Sequence, residues 1–590
     1  MGQGPKTVSV LDIAKGALAY LPDVPRLVPN MVNMALLRPQ RRVSLATVFE
    51  SQAQAHADRP FLRDQTKTFT YQEADAMANQ MARAFISLGV KRGGVVGILS
   101  KNRWETVIAV IAAAKIGAVS ALLNPNQQGD VQAHSLSLVK PALVLACAHG
   151  LAILKALQQS HPERLAGVEV AGFEGASDSL AYSNFKELWT VQSPRALIEA
   201  SEVTAKSPCF YIFTSGTTGL PKASVMSHYR WLQAMYGMQS ATRLSNQEVL
   251  YCCLPLYHNN ALTVSLGMVI AAGACMALDE KFSASRFWER IRFYNANAFC
   301  YIGELLRYLL NQVPNENDQN HEIRFITGNG LRPELWADFE ARFGIEQIFE
   351  FYGASESNLG FMNAFGLRET VGFCPMPYRI VACDPDTEQV IRDSHGRCTD
   401  VKLGEVGLLI SEVTRLRPFD GYTDPKANEG KLLRNVFSQG DCWYNSGDLM
   451  RRQGWRHVQF VDRLGDTFRW KGENVATSEV EGALAKLPWI EHAVVYGVQV
   501  PGSDGRAGMA AISTKEGKAV DWSGLAEYVS AHLPSYAIPQ YVRLLDQAQT
   551  TGTFKYQKSD LKRDGIDPNR VHGPLYAWDS RGRQYRALVQ

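Results

Sequence analysis

Strand-like and helix-like stretches alternate along most of this chain, and no other feature narrows its fold as far. After Gly93-Gly94 comes a strand-like VVGIL at Val95 to Leu99, then the helical WETVIAVIAAAKIGA, then the strand-like VSALL. Strand–helix–strand units of this kind imply parallel sheets with helices on both faces. The same punctuation recurs at GVEVAGFEG, VLYCCLPLYH, AFCYIGE and EIRFITGNG. Within Asp75 to Leu88, residues Met77, Met81, Phe85 and Leu88 form a helical stripe, in which methionine reads as core filler rather than ligand. The class is α/β. At 590 residues the chain exceeds one core, so several domains are expected. Near Asp462 the texture changes, with charge crowded into VDRLGDTFRWKGENV. A compact part follows, with strand-like HAVVYGVQV and AGMAAIS and a helix from Gly524 to His532. We place a boundary close to Gly465, where glycine permits unusual backbone angles. Residues 1–464 then form a large domain with an arm at 1–44, and residues 465–590 a small one.

Composition matters chiefly for what it excludes. With 46% hydrophobic and 20% charged residues, wholesale disorder is ruled out. The net charge of +3, with no basic tail or stripe, argues against a nucleic-acid partner. Ten scattered cysteines contain no C-x-x-C pair, and the opening residues read as neither a signal peptide nor a myristoylation site. A cytoplasmic protein is expected. The uncharged run Ala261 to Leu278 is interrupted by Gly267 and Gly273 and reads as a buried helix–turn–strand rather than a membrane span. Val8 to Leu37 mixes apolar residues with charges and three prolines. It suits either a peripheral contact with the inner face of a membrane or an arm packed on the main domain.

YIFTSGTTGLPKASV, Tyr211 to Val225, carries the first chemistry. Phe210 to Phe213 reads as a buried strand. Thr214-Ser215-Gly216-Thr217-Thr218-Gly219 offers hydroxyls and unhindered backbone N–H groups, which suit phosphate, and Lys222 adds a positive charge. Such a stretch also serves as a plain turn between strands. It is not a Walker A loop, because Pro221 stands where that pattern needs glycine before the lysine. Four more stretches stand out: FYGASES with Glu356, YNSGDL with Asp448, DRLGDTFRWKGENV beginning with Arg463, and TGTFKYQK with Lys555. Alone, each has an ordinary explanation as a turn or a solvated segment.

Taken in order and at this spacing, these stretches resemble the adenylate-forming superfamily of acyl-CoA synthetases, luciferases and peptide-synthetase adenylation domains, from Leu45 to Asp567. CLPLYHNNAL, YIGELLRYLLN, GNGLRPE, FDGYTDP and above all GDTFRWKGENV are similar to the fatty-acid-transport-protein type of long- and very-long-chain acyl-CoA synthetase. The resemblance implies a large N-terminal domain of parallel-rich sheets covered by helices plus a β-barrel-like subdomain, joined by a hinge to a small α+β C-terminal domain. It implies that Thr214 to Gly219 and Lys222 hold the β- and γ-phosphates of ATP. Gly328, Asn329, Gly330 and Tyr352 would line the adenine site, with Gly353 and Ser355 beside them. Glu356 would bind Mg²⁺, Asp448 and Arg463 the ribose, and Lys555 the acyl carboxylate and α-phosphate. His258 would stand between acyl tunnel and nucleotide. Arg469, Gly472 and Glu473 would form a second catalytic face, presented by rotation about Gly465.

Ser355 stands where the superfamily usually has Thr, Arg469 where many relatives have Lys, and Gly465 where others often carry Asp or Lys. The function implied is activation of a long- or very-long-chain fatty acid through an acyl-adenylate to acyl-CoA, with ATP, Mg²⁺ and coenzyme A. Ser215 is then a phosphate ligand, since no G-x-S-x-G elbow supports an acylated serine. Trp231, Met235, Met238 and the Ala261–Leu278 run either line an acyl tunnel or are simply core. Ligation of another bulky acid, such as a sterol side chain or bile acid, and a membrane-associated uptake role are the alternatives. A homodimer is the assembly left open.

Overall fold

A computed structural model describes residues 7–174, 183–215, 220–384, 387–471, 473–500, 505–546, 558–567, 570–571 and 573–588. The chain divides into two compact units, one of Val10–Cys374 with Val413–Leu432, the other of Met1–Ser9, Pro375–Glu412 and Leu433–Gln590.

The first unit holds the two large sheets that the alternation implies. One runs, in spatial order, through Ser183–Asn184, Glu169–Gly172, Leu143–Ala146, Val95–Leu99, Val119–Leu123, Pro208–Ser215 and Pro221–Ser227. Its pairs are parallel except the last, an antiparallel hairpin. The other places Phe361–Met362, Gln347–Tyr352, Phe325–Asn329, Ala298–Ile302, Val249–Cys252, Cys275–Leu278, Pro60–Arg63 and Thr68–Thr70 side by side. The helices Leu45–Ala55, Tyr71–Ser87, Trp104–Lys115, His228–Thr242 and Leu266–Ala272 pack on one another and on strands of both sheets. Trp104–Lys115 shows why: Thr106 through Lys115 is buried all round, as a helix between two sheets must be. Its one buried charge, Lys115, is paired with Asp75 at 2.8 Å and with Glu50.

The run Ala261–Leu278 is a buried helix–turn–strand, as expected. A π-helical stretch Asn260–Ser265 leads into Leu266–Ala272, Gly273 turns the chain at φ 68°, and Cys275–Leu278 is a core strand. The N-terminal arm forms helices Val10–Tyr20 and Val24–Leu36. It is pinned by Tyr20 Oη donating to the Ser240 carbonyl at 2.8 Å and Asn30 Nδ2 to the Ala271 carbonyl at 2.9 Å. Its outer face keeps Val10, Leu11, Leu18, Leu21 and Leu36 exposed.

The second unit contains an antiparallel sheet of Tyr378–Val381, Val406–Glu412, Cys442–Gly454 and His457–Arg463. It also contains a mixed sheet of Ile490–Gln499, Arg506–Thr514, Tyr541–Leu544, Leu575–Asp579 and Gln584–Ala587, with helices Thr477–Leu484 and Trp522–His532 packed against it. The α/β class and the small α+β part stand as the sequence implies.

Candidate active site

Thr214 and Ser215, the described part of the hydroxyl-rich stretch, and Lys222 lie at one end of the hairpin at the edge of the first sheet. Thr214 lies opposite Lys222 and Ser215 opposite Pro221. Gly216, Thr217, Thr218, Gly219 and the Ser215 side chain lie outside the described residues. What is described is how this end is held. Phe210 and Ile212 are buried, so the strand that delivers Thr214 is anchored in the core. The returning strand is flanked by Phe419 to Pro425. There the Val225 N–H donates to the Gly421 carbonyl at 2.8 Å and the Thr423 N–H to the Ala223 carbonyl at 2.9 Å. That stretch sets the Tyr422 ring 5.7 Å from Lys222 Nζ.

A buried polar knot joins this hairpin to the FYGASES turn. Ser227 caps the helix His228–Thr242, accepting from the Arg230 N–H, and its Oγ donates to Asp420 at 2.6 Å. Arg230, one turn into the helix, donates to the Val225 carbonyl at 2.9 Å and to the Ser355 carbonyl at 2.8 Å, with Asp420 at 3.8 Å balancing its charge. Glu356 follows, buried, with Lys431 Nζ 3.7 Å away. Ser357 Oγ closes the turn on the carbonyls of Ala354 and Leu359.

Gly328, Asn329 and Gly330 lie where the strand Phe325–Asn329 ends. Gly330 takes φ 82°, which only glycine adopts cheaply. The N–H groups of Gly330 and Leu331 donate to Glu350, at 3.2 and 3.1 Å. Asn260 Nδ2 donates to Asn329 Oδ1 at 2.9 Å, which brings Asn329 against the segment that carries His258. His258 is half-buried, its ring 4.5 Å from that of Tyr257. Tyr352 ends its strand half-exposed, and a Cβ at Gly353 would meet nothing within 4 Å. The structure thus brings Thr214, Lys222, Gly328 to Gly330, Tyr352 to Glu356 and His258 together in one unit.

The other unit carries the remaining predicted residues. Asp448 and Arg463 are cross-strand partners, with Arg463 Nε 3.8 Å from the buried Asp448 carboxylate. Arg469 is exposed on a short hairpin opposite Asn474. Gly472 and Lys555 lie outside the described residues. Gly465 does not take a left-handed conformation, and a Cβ there would meet Glu388 only at 3.5 Å, so this conformation does not itself demand glycine. Lys562 Nζ donates to the Gly465 carbonyl at 2.8 Å and pairs with Asp466 at 2.6 Å. Lys558 pairs with Glu481 at 2.9 Å and donates to Thr477 Oγ1 at 2.8 Å, while Thr477 N–H and Oγ1 donate to Asp462. Among the described residues no cluster of three acidic, His or Cys side chains forms a metal cage.

Residues 49–410 match the family described as AMP-binding enzyme, and residues 479–555 match the AMP-binding enzyme C-terminal domain. The chain belongs to the AMP-binding enzyme family. Over 97% of its length, and 94% of the relative's, this AMP-binding enzyme is 46% identical to the medium/long-chain-fatty-acid–CoA ligase FadD6 of Mycobacterium tuberculosis. It is 38% identical to the long-chain fatty acid transport protein 2 of Rattus norvegicus, covering 95% of this chain and 92% of the relative. Its fold matches an anthranilate CoA ligase in complex with anthranoyl-AMP, at TM-score 0.76 and 18% identity over 90% of this chain and 98% of that one. It likewise matches ATP-bound MatB from Rhodopseudomonas palustris, at TM-score 0.74 and 19% identity over 88% and 99%.

Sequence reasoning missed the residues that tie the candidate segments of this AMP-binding enzyme together. Arg230 sits in an unremarked helix start, and Glu350 two residues before the Tyr352-Gly353 turn. Asp420 lies inside FDGYTDP, a stretch singled out by resemblance without a role. The only signal for Glu350 was a charge inside an otherwise apolar run, and for Arg230 a charge between Tyr229 and Trp231; burial makes either costly unless it is partnered.

Proposed function

We propose that this enzyme activates long- or very-long-chain fatty acids in two steps. The fatty carboxylate attacks the α-phosphorus of ATP, giving acyl-adenylate and pyrophosphate; the CoA thiol then attacks the acyl carbon and releases AMP. The observation that carries this reading is the likeness to the mycobacterial ligase along nearly the whole chain. Both reactants of the first step are anions, so the protein must bring positive charge and hold them in line. Lys222 and the hydroxyls and N–H groups of 214–219 take the departing pyrophosphate, and Lys555 takes the carboxylate and α-phosphate. Gly328 to Gly330 and Tyr352 hold the adenine, and Asp448 accepts from the ribose hydroxyls, with Arg463 beside it. His258 faces the junction of acyl chain and nucleotide.

Glu356 suits Mg²⁺: a buried carboxylate that belongs to no cluster of three acidic, His or Cys side chains among the described residues fits a cation that keeps waters and substrate phosphates as its other ligands. When bound, the ion neutralises phosphate charge. For the second step we place the hinge at Gly465, between residues 1–464 and 465–590, with Arg469, Gly472 and Glu473 on the face that replaces Lys555.

The test is pyrophosphate release with ATP, Mg²⁺ and fatty acids of graded length, with and without CoA, on wild type and Lys555→Ala. Release that depends on a long acid and on Lys555, with AMP and acyl-CoA as products, is expected. No release with any fatty acid overturns the substrate class and directs the search to other bulky carboxylic acids. A second reading, membrane-associated fatty-acid uptake, is favoured by the exposed Leu11, Leu18 and Leu36 on the arm. No helix among the described residues is long and apolar enough to cross a membrane, and the exposed leucines of the arm suit a peripheral contact. Uptake that survives Lys555→Ala would support it, whereas uptake lost with ligation means activation traps the acid.

A further inference from the structure

Glu350 is a buried carboxylate that has no counter-ion among the described residues. It lies on the strand Gln347–Tyr352, 4% exposed, and all its side-chain partners are neutral donors. Tyr301 Oη donates to Oε1 at 2.5 Å, the Leu331 N–H to Oε1 at 3.1 Å and the Gly330 N–H to Oε2 at 3.2 Å. Two of the three donors belong to the turn that begins at Gly328.

The glycines around this turn are explained by that closure. A Cβ on Gly303 would lie 1.7 Å from the Gly330 carbonyl oxygen. A Cβ on Gly328 would lie 2.3 Å from the Tyr301 carbonyl oxygen and 2.6 Å from its ring. The left-handed φ of Gly330 brings its N–H to Glu350. Gly303, Gly328 and Gly330 therefore let Tyr301 and the turn close on one carboxylate.

We propose that Glu350 is a positioning residue for nucleotide binding: its carboxylate fixes the Gly328–Leu331 turn in the shape that receives the adenine of ATP. The proposal rests on the placement of adenine at that turn given above. Only the ionised form accepts all three bonds. A protonated carboxyl carries a hydrogen on one oxygen, so one of the three contacts must turn round or break, and the N–H groups of the turn face a neutral, weaker acceptor. Burial pushes the Glu350 pKa up to about 7, against the pull of Tyr301, Leu331 and Gly330. On Ala298–Ile302, one strand beyond the neighbouring Phe325–Asn329, the titratable groups are Tyr301, raised well above its usual value by burial, and Cys300, raised by burial to about 12. Neither changes charge near neutrality.

The experiment compares wild type, Glu350→Gln, Tyr301→Phe and Asn329→Ala. It measures kcat and the KM of ATP and of fatty acid on both sides of neutral pH, with melting temperature as a check on folding. The amide of Gln presents an N–H to a donor at every pH. Glu350→Gln is therefore expected to raise the ATP KM about tenfold, with kcat and fatty-acid KM held within about twofold. The wild-type ATP KM is expected to rise as pH falls through about 7, a dependence absent from Glu350→Gln. Tyr301→Phe, which removes one donor and little volume, is expected to raise it a few-fold (~3-fold). A folded Glu350→Gln with unchanged ATP KM overturns the proposal. If that variant does not fold, an unchanged ATP KM in Tyr301→Phe overturns it. A raised ATP KM in Asn329→Ala beside an unchanged one in Glu350→Gln overturns the Glu350 assignment alone. No effect from either overturns the adenine placement as well.

Discussion

Arg230 donates to the Ser355 carbonyl at 2.8 Å and to the Val225 carbonyl at 2.9 Å, so one buried side chain joins the turn before Glu356 to the strand that leaves the hydroxyl-rich hairpin. The two halves of the proposed phosphate site are separated by 125 residues of chain between Arg230 and Ser355. Their spacing is set by a side chain that itself need not touch substrate.

This makes Arg230 a sensitive position. Lysine keeps the charge but loses the planar fork that reaches two carbonyls at once. Arg230→Lys is expected to lower kcat/KM for pyrophosphate release about 100-fold, because small displacements of positioned groups are costly in phosphoryl chemistry. Pyrophosphate release under limiting ATP and fatty acid measures it. A rate within about twofold of wild type would show that the knot is packing alone.

Glu356 separates metal binding from nucleotide binding. Glu356→Gln preserves shape and removes the charge that the proposed Mg²⁺ needs. The Mg²⁺ concentration for half-maximal adenylation is expected to rise at least about tenfold. Lys431, 3.7 Å away, provides the control: Lys431→Met leaves the carboxylate in place and should shift that concentration the other way, if at all. A Mg²⁺ titration of both variants at fixed ATP decides between metal ligand and structural ion pair.

Much of this was legible in the sequence, and the boundary of what was has physical causes. The strand–helix alternation predicted the parallel sheets, because a strand buried on both faces is mostly apolar, as Val95–Leu99 is and as Val119–Leu123 is except at Ser120. The Ala261–Leu278 run was readable because glycine marks its turn. Spatial strand order was not: Pro60–Arg63 pairs with Cys275–Leu278, more than two hundred residues on, and nothing local encodes that choice. The antiparallel sheet of the second unit was expected only through resemblance. Most of the residues proposed to face the ligand sit in or beside glycine-containing turns and announce themselves. Glu350, Arg230 and Asn260 sit inside regular elements, and their partners come from other segments of the chain.

Lys558 is expected to be structurally costly to remove. It is nearly buried against Glu481, which also accepts from the Val495 N–H at 2.9 Å. Truncating one partner leaves a buried charge, so Lys558→Met should cost about 3 kcal/mol of stability. The double variant Lys558→Met with Glu481→Leu should recover most of it. Chemical denaturation of the full chain measures both. An additive double variant would mean that the pair does not interact energetically.

The pH dependence of stability should expose two buried groups that oppose each other. His228 accepts from the Leu45 N–H at 3.2 Å, and burial pushes its pKa down to about 3. Its folded value lies below its unfolded one, so its contribution is present above about 6.5 and is lost as pH falls toward about 3. Glu350 runs the other way. Its folded pKa, about 7, lies above the unfolded value, so its contribution is present below about 4.5 and is lost as pH rises through about 7. Between about 4.5 and 6.5 the unfolded chain binds one more proton at His228 and one fewer at Glu350, and the two slopes cancel. His228→Gln removes one side of that balance. Over this window its stability should fall with rising pH by about 1.4 kcal/mol per unit relative to wild type. Glu350→Gln should show the reverse slope, rising with pH by the same amount. Denaturant unfolding at a series of pH values reads both differences directly, and parallel curves for the three proteins would show that neither group titrates differently in the folded state.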